Sequence, residues 1–394
     1  MRNDFTNCLL WLVFPLITGV LLHVTMPDLG WMDHDKTAVL YGLLVFAITV
    51  IAAGMRTGFK NELLSPLLSV SVLLVAGFIV LLGTLVPVQQ EPGLMSVYRS
   101  YYFNGVLGLL GALQFLAIRE SIYSEIPYLK FIGKFAAHAG ILLVLTGGAI
   151  GTAFSSQGII TLYEGGKSAV YSVTEGPYRT LTGEVKEIGE NCRTKKIPKD
   201  PEDPSYKGYS VNCSPGFTVA ALGMLLVVCG LAALTFQRSY SLLIPGIILA
   251  SVLLWVLTKF TGVPPFLQSI WFVPHVTSYF TGYAFVVLAG ISAFISMRAA
   301  QKFASGAFLF LTFGLCLGSI WANEAWGAWW SWDPKENLAL TQWILLASFV
   351  HLPEQYRLSK WGAALLVFVL LLSGFMYLGM HVLPTAEASL HVYG

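Results

Sequence analysis

Between Trp321 and Glu336 the chain reads WANEAWGAWWSWDPKE, with Trp321, Trp326, Trp329, Trp330 and Trp332 packed into twelve positions. Apolar runs of membrane-crossing length flank it, at 303–321 and 336–352. The stretch ends in Asp333-Pro334-Lys335-Glu336, where a cap residue, a proline for the first helical turn and an acid three residues on mark a helix start. The spacing predicts a surface loop over the whole of 321–336, where the chain leaves one membrane span and enters the next.

Working outward, the same kind of run recurs at 5–25, 37–55, 64–86, 102–118, 134–153, 216–236, 241–258, 275–297 and 361–380. The expected architecture is an all-α polytopic membrane protein of about 11 transmembrane helices, each near the length a bilayer core requires. Composition agrees: of 394 residues, 56% are hydrophobic and 11% charged, against about a quarter charged in globular domains. A net charge of +2, with no basic patch, excludes nucleic acid as a partner. The first run follows Arg2 and lacks a small-residue cleavage site, so it is expected to be retained as a helix.

Basic residues sort by side. With the N-terminus in the cytoplasm, inner segments hold Arg2, Arg56, Lys60, Arg119, Lys130, Lys134, Arg238, Arg298, Lys302, Arg357 and Lys360, and short outer loops hold only Lys36, Arg99, Lys259 and Lys335. That orientation places the tryptophan stretch, residues 261–274, the C-terminal tail and the long polar loop 155–215 together on the outer face. Alternating residues in the long loop predict a small β-rich extracytoplasmic domain. Cys192 and Cys213 both lie in it, and a disulfide between them would support so small a core. No CxxC or CxxCH occurs, so the chain has no thioredoxin-like pair and no attachment site for covalent haem of its own.

Tryptophans gather at membrane interfaces in any membrane protein, but five in twelve positions exceed that need. An indole array with N–H donors, and Gly327 allowing close backbone approach, suits a large planar apolar ligand with polar edges, for which haem b is the obvious candidate. The histidines add depth information. His138 lies about a turn into its span from the cytoplasmic side and His351 ends the run after the tryptophans, so the two share an inner level on different helices. His275 opens its span from outside and His391 sits in the outer tail, with His381 as its rival. The run from Glu336 to His351 covers about 22 Å at 1.5 Å per residue, so the inner and outer pairs are separate stations. Two imidazoles on one iron leave no open position for oxygen. His23 and His34 are expected to be interfacial.

Trp326-Gly327, Trp330, Trp332-Asp333, followed by Pro334-Lys335-Glu336, fill the W-G-x-x-W-x-W-D signature of the haem-handling proteins of cytochrome c biogenesis. The chain resembles the system II cytochrome c synthetase, in its form with both membrane components fused. Residues 216–394 are similar to the haem-handling component, with His275, His351 and His391 on its histidine positions. Residues 64–153 are similar to the other component, through GTLVP at Gly83–Pro87 and HAGILLVLTGGAIG with His138. Residues 154–215 would be a shortened outer domain, and the two helices of residues 1–63 lie outside the resemblance. The tail reads Leu390-His391-Val392-Tyr393, where the family usually has Leu-His-Ser-Tyr.

The resemblance implies an integral protein of the bacterial cytoplasmic (inner) membrane. Haem would enter at an inner site ligated by His138 and His351. It would then be held outside by His275 and His391 against Trp326, Gly327, Trp329, Trp330, Trp332 and Asp333. An apocytochrome c would present its CxxCH there for covalent attachment, with thiol-reducing accessory proteins and membrane lipid as further partners. Trp330, Trp332 and Asp333 would be the residues closest to the chemistry, and Lys335 and Arg99 would pair with the propionates. Beside a plain transporter that takes another amphipathic ligand in the outer cleft, two alternatives remain. One is a haem exporter or chaperone without ligation activity. The other is a b-type cytochrome electron carrier, which commonly puts two ligands on one helix, whereas each candidate helix here has one.

Overall fold

The computed structural model describes residues 2–25, 34–55, 57–85, 97–162, 170–175, 180–188, 192–196, 207–238, 269–326, 329–383 and 385. Gly327, His391 and the expected span 241–258 lie outside the described residues. Twelve α-helices are described. The first seven are α1 (Arg2–Thr25), α2 (His34–Met55), α3 (Thr57–Leu63), α4 (Pro66–Leu85), α5 (Tyr101–Tyr123), α6 (Tyr128–Phe154) and α7 (Phe217–Arg238). The others are α8 (Phe272–Ser292), α9 (Met297–Trp326), α10 (Pro334–His351), α11 (Glu354–Arg357) and α12 (Lys360–Leu378).

Among the described residues, eight helices are long and apolar enough to cross a membrane: α2, α4 to α9 and α12. The protein is an integral membrane protein with a helical bundle. The expected run 336–352 falls outside this set, for a physical reason visible in α10. That helix lies inside the bundle, with Asn337, Thr341, Gln342 and Ser348 all buried. A helix that meets other helices on every side need not be as apolar as one facing lipid.

Two hydrophobic cores organise the bundle. One gathers α8, α9, α10 and α12 around Phe285, Leu311, Leu346, Phe349 and Val369. The other gathers α1, α2, α4 and α5 around Leu68, Val72, Val106 and Leu109. Leu110 and Leu340 touch both cores, so α5 and α10 form the seam. The N-terminal helices are therefore part of the second core, and His23 and His34, expected at the interface, are buried there. They are 5% and 3% exposed, their rings lie 5.2 Å apart, and Tyr101 and Tyr102 enclose them.

α6 and α7 form an unusually close antiparallel pair. Gly133, Gly140 and Gly147 on one face Gly230, Gly223 and Gly216 on the other, each series repeating every seven residues. A Cβ on Gly140 would stand 2.5 Å from the carbonyl oxygen of Gly223 and 2.6 Å from the backbone nitrogen of Val227. Small residues let membrane helices meet backbone to backbone, where dispersion replaces the missing hydrophobic drive. This contact also fixes the rotation of α6. At 100° per residue His138 is about 140° around the helix from Gly133, and so faces away from α7.

Between α6 and α7 the chain forms a five-stranded antiparallel sheet: β1 (Ser156–Leu162), β2 (Val170–Glu175), β3 (Thr180–Glu187), β4 (Cys192–Lys196) and β5 (Lys207–Cys213), in the order β3-β2-β1-β5-β4. Cys213 is disulfide-bonded, and Cys192 is its direct register partner across the β4–β5 ladder. Ile160 and Val211 form the small apolar centre of the sheet.

Candidate functional site: two histidine stations and the tryptophan loop

The inner station comes from α6 and α10. The His138 and His351 rings lie with centroids 6.2 Å apart and planes at 66°. A metal bound to two imidazole nitrogens at about 2 Å each, with ring centres roughly 1 Å further out, separates the centroids by about 6 Å. The observed spacing therefore fits one metal between the rings.

Tautomers are set by the hydrogen bonds. His351 Nδ1 donates to the Ala347 carbonyl at 2.7 Å, and His138 Nδ1 lies 2.7 Å from Gln114 Oε1 on α5. A carbonyl oxygen only accepts, so each imidazole keeps its Nδ1–H and holds its lone pair on Nε2, the arrangement of a metal-ligating histidine.

His275 is held in the first turn of α8 by the same device. Its Nδ1 donates to the Gly314 carbonyl at 2.9 Å. The ring lies on the α9 surface at Gly318, where a Cβ would stand 2.6 Å from His275 Cε1, and it stacks on Trp321 at 5.4 Å and 21°. Tyr279, one turn on, occupies the space over Gly314. The glycines of the Gly314-Leu-Cys-Leu-Gly318 segment thus form a trough for two rings, a use of the GxxxG spacing that sequence reading passed over. Gly318→Ala is expected to push the imidazole off α9, and Gly318→Ser to do the same. Both should appear as loss of haem absorbance from the outer site proposed below, with inner-station features retained.

The tryptophan stretch is shorter as a loop than its sequence suggests. α9 continues through Trp326, and α10 begins at Pro334. Trp321 is 1% exposed and supports His275 from within, so it belongs to the core and not to a surface loop. The buried face of α9 persists through Ala322, which prolongs the helix beyond the expected end. Trp326 ends that helix.

In the remaining loop the indoles already have protein partners. Trp329 stacks on Phe217 at 13° between planes. Trp332 stacks on Tyr98 at 4.1 Å and 9°, with Phe103 at its edge. Trp330 meets Trp332 edge-on at 5.9 Å, and its buried Nε1–H has no partner among the described residues.

Trp332 has φ of 57°, a left-handed conformation that costs a non-glycine residue roughly 1–2 kcal/mol. The Tyr98 stack, together with Asn337 Nδ2 donating to the Trp332 carbonyl at 2.8 Å, holds it there. Tyr98 lies flat on α4 because Gly83 leaves room: a Cβ there would be 2.5 Å from the Tyr98 ring. Burial pushes the Tyr98 phenol well above its usual range, so it stays an O–H donor, to the Val80 carbonyl at 3.0 Å. Gly83 of the GTLVP segment therefore seats the plate beneath Trp332.

Asp333 and Glu336 shape the loop from below. Asp333 is 4% exposed and caps α10, accepting from the Lys335 backbone N–H at 2.8 Å in a capping box with Glu336. Glu336 Oε2 accepts from the backbone N–H groups of Ser331 at 2.8 Å and Asp333 at 3.2 Å. Asp333→Ala should cost about 1 kcal/mol in a stability measurement. Asp333→Asn, which can still cap, should keep stability and maturation activity near wild type. A residue required as a carboxylate in the chemistry would behave the opposite way.

Other chain ends close around this loop. Ser269 Oγ donates to Glu324 Oε2 at 2.7 Å, and Thr385 Oγ1 donates to the Thr84 carbonyl at 2.7 Å. The segment before α8 and the start of the tail therefore meet the ends of α9 and α4. Arg99 pairs with Asp35 at 2.6 Å, so its guanidinium is already engaged on that side. Lys335 is half-buried next to Asp333, and His381 is exposed after α12.

The described residues thus form a polytopic helical bundle with two histidines paired from separate helices and a capped tryptophan loop. Residues 214–386 match the family model described as cytochrome C assembly protein. The chain is similar to the cytochrome c biogenesis protein CcsA of Prochlorococcus marinus strain MIT 9312, 44% identical over 92 residues, covering 22% of this chain and 28% of the relative. The protein of the same name from strain NATL1A is 42% identical over 92 residues, 22% of this chain and 27% of the relative. That of Synechococcus sp. strain RCC307 is 43% identical over 91 residues, 22% and 27% respectively. The chain thus spans between 27% and 28% of the length of these relatives. His275, His351 and the tryptophan loop fall inside the family region, and His138 and Gln114 fall outside it.

Proposed function

We propose that the protein acts in cytochrome c biogenesis as a synthetase. In this reading it takes haem b at the inner station, moves it outward and presents it at the tryptophan loop to the CxxCH of an apocytochrome c. The observation that carries the reading is the His138–His351 pair, two rings from different helices at the spacing of one shared metal, each with its lone pair on Nε2.

Each thiol of the CxxCH adds across one vinyl group: the C–S bond forms at one vinyl carbon and the proton goes to the other, with no net electron transfer. The peptide histidine replaces one protein ligand as the product leaves. The protein's own part is binding, orientation and exclusion of water. His275 and His391, or His381 in place of His391, serve as outer ligands. Trp326, Gly327, Trp329, Trp330 and Trp332 border the haem, and Lys335 serves a propionate. The unpartnered Trp330 Nε1–H supports a polar contact with a ligand edge.

The loop and the sheet face the outer side of a bacterial cytoplasmic membrane, with the N-terminus inside. Residues 1–63, 64–153, 154–215 and 216–394 act as two added helices, the first component, a small outer domain and the haem-handling component. Thiol-reducing accessory proteins keep the CxxCH reduced.

Expressing the chain with an apocytochrome c, in cells lacking their own maturation system, tests the reading. Covalent holocytochrome is expected. Haem bound to the chain with no covalent product would leave a haem exporter in its place. Rapid quinol oxidation by the purified protein would instead favour a b-type electron carrier.

A further inference from the structure

Between Gly105 and Ile118 the apolar run of α5 carries one polar side chain, Gln114. A primary amide in a membrane span is costly unless something meets it. What meets it is His138, with Nδ1 and Oε1 2.7 Å apart across the α5–α6 interface. The glycine contact with α7 turns His138 towards this side of α6, so the pairing follows from the packing of three helices.

We infer that Gln114 is the positioning residue of the inner station. Its side-chain carbonyl holds the proton of His138 on Nδ1 and leaves Nε2 as the ligand atom, the service that the Ala347 carbonyl performs for His351. The inference rests on the proposed ligation of haem by His138 and His351.

The choice of acceptor has a chemical consequence. Both inner histidines face neutral carbonyls and not carboxylates. A carboxylate on Nδ1–H draws the proton towards itself, makes the imidazole a stronger donor to iron and holds metal more tightly. An amide fixes ring and tautomer with less donation, which suits a station that must give up its cargo. Of the two acceptors only Gln114 can be altered by substitution, because the other is backbone.

The test uses the full-length protein purified with haem, in a His275→Ala background so that the inner pair dominates the signal. Gln114→Glu keeps an acceptor and adds charge. It should retain the bis-imidazole spectrum, with a more negative midpoint potential and slower haem loss to an excess of apomyoglobin. Gln114→Leu removes the acceptor and should lose haem about 10–100-fold faster, the range for an outer-shell partner. Wild-type potential and haem-loss rate in Gln114→Glu would overturn the inference even where Gln114→Leu does not fold. Comparison with His138→Ala and His351→Ala separates the two levels. If those leave the spectrum unchanged, the ligation reading itself fails; if they change it while both Gln114 variants match wild type, only the positioning role fails.

Discussion

His138→Ala and His351→Ala should each abolish the bis-imidazole absorbance of the inner station, read as a reduced-minus-oxidised spectrum on purified protein. The two rings share one site at 6.2 Å, so removing either leaves an iron with one protein ligand. The affinity loss should exceed about 100-fold, the upper end for a mere outer-shell partner. The double substitution should add little to either single one, because residues acting on one centre are not additive. Each variant should keep its helical circular dichroism, since α6 stays held by its glycine contact with α7 and α10 by the first core. An unchanged spectrum in both single variants would remove the ligand assignment.

Gly216→Val should be the most damaging single change away from the histidines. A Cβ at Gly216 would fall 1.9 Å from the Gly147 carbonyl oxygen and 2.8 Å from the Gly151 backbone nitrogen. Those are backbone atoms of a helix and cannot swing aside. Overpacking of ordinary cores costs about 1–3 kcal/mol, and a backbone clash in a helix pair should reach or pass the upper end. The readout is thermal unfolding in detergent, with a fall in midpoint expected. A second readout is the inner-station spectrum, because α6 carries His138 and any shift of the α6–α7 pair moves it. Gly148→Ala on the same helix, where a Cβ meets nothing within 4 Å, should leave both unchanged.

The two expectations differ in how far the sequence supports them. The depths of His138 and His351 follow from counting residues along spans, since a helix rises by a fixed amount per residue. The seven-residue glycine repeat was equally open to counting, but in an apolar run glycine is common and carries no pattern of polarity to draw attention. Gln114 is a lone amide in the apolar run of α5, and its meaning requires a partner 24 residues away on another helix. The tryptophans show the opposite case. Their number suggested one open platform, whereas Tyr98, Phe217 and His275 already cover Trp332, Trp329 and Trp321. Aromatic side chains on different segments find one another through packing, which spacing along one segment does not encode.

By itself the sequence determined the membrane class, the described runs that become helices and the helix start at Asp333. Each depends on hydropathy, capping or rise per residue, which are local properties of the chain. Only the tertiary structure decided that α10 is internal, that His23 and His34 are buried, and that Trp332 is held at positive φ over Tyr98. It also decided that Gln114 meets His138. These depend on which helix faces meet, and that is settled by contacts between residues far apart in the chain.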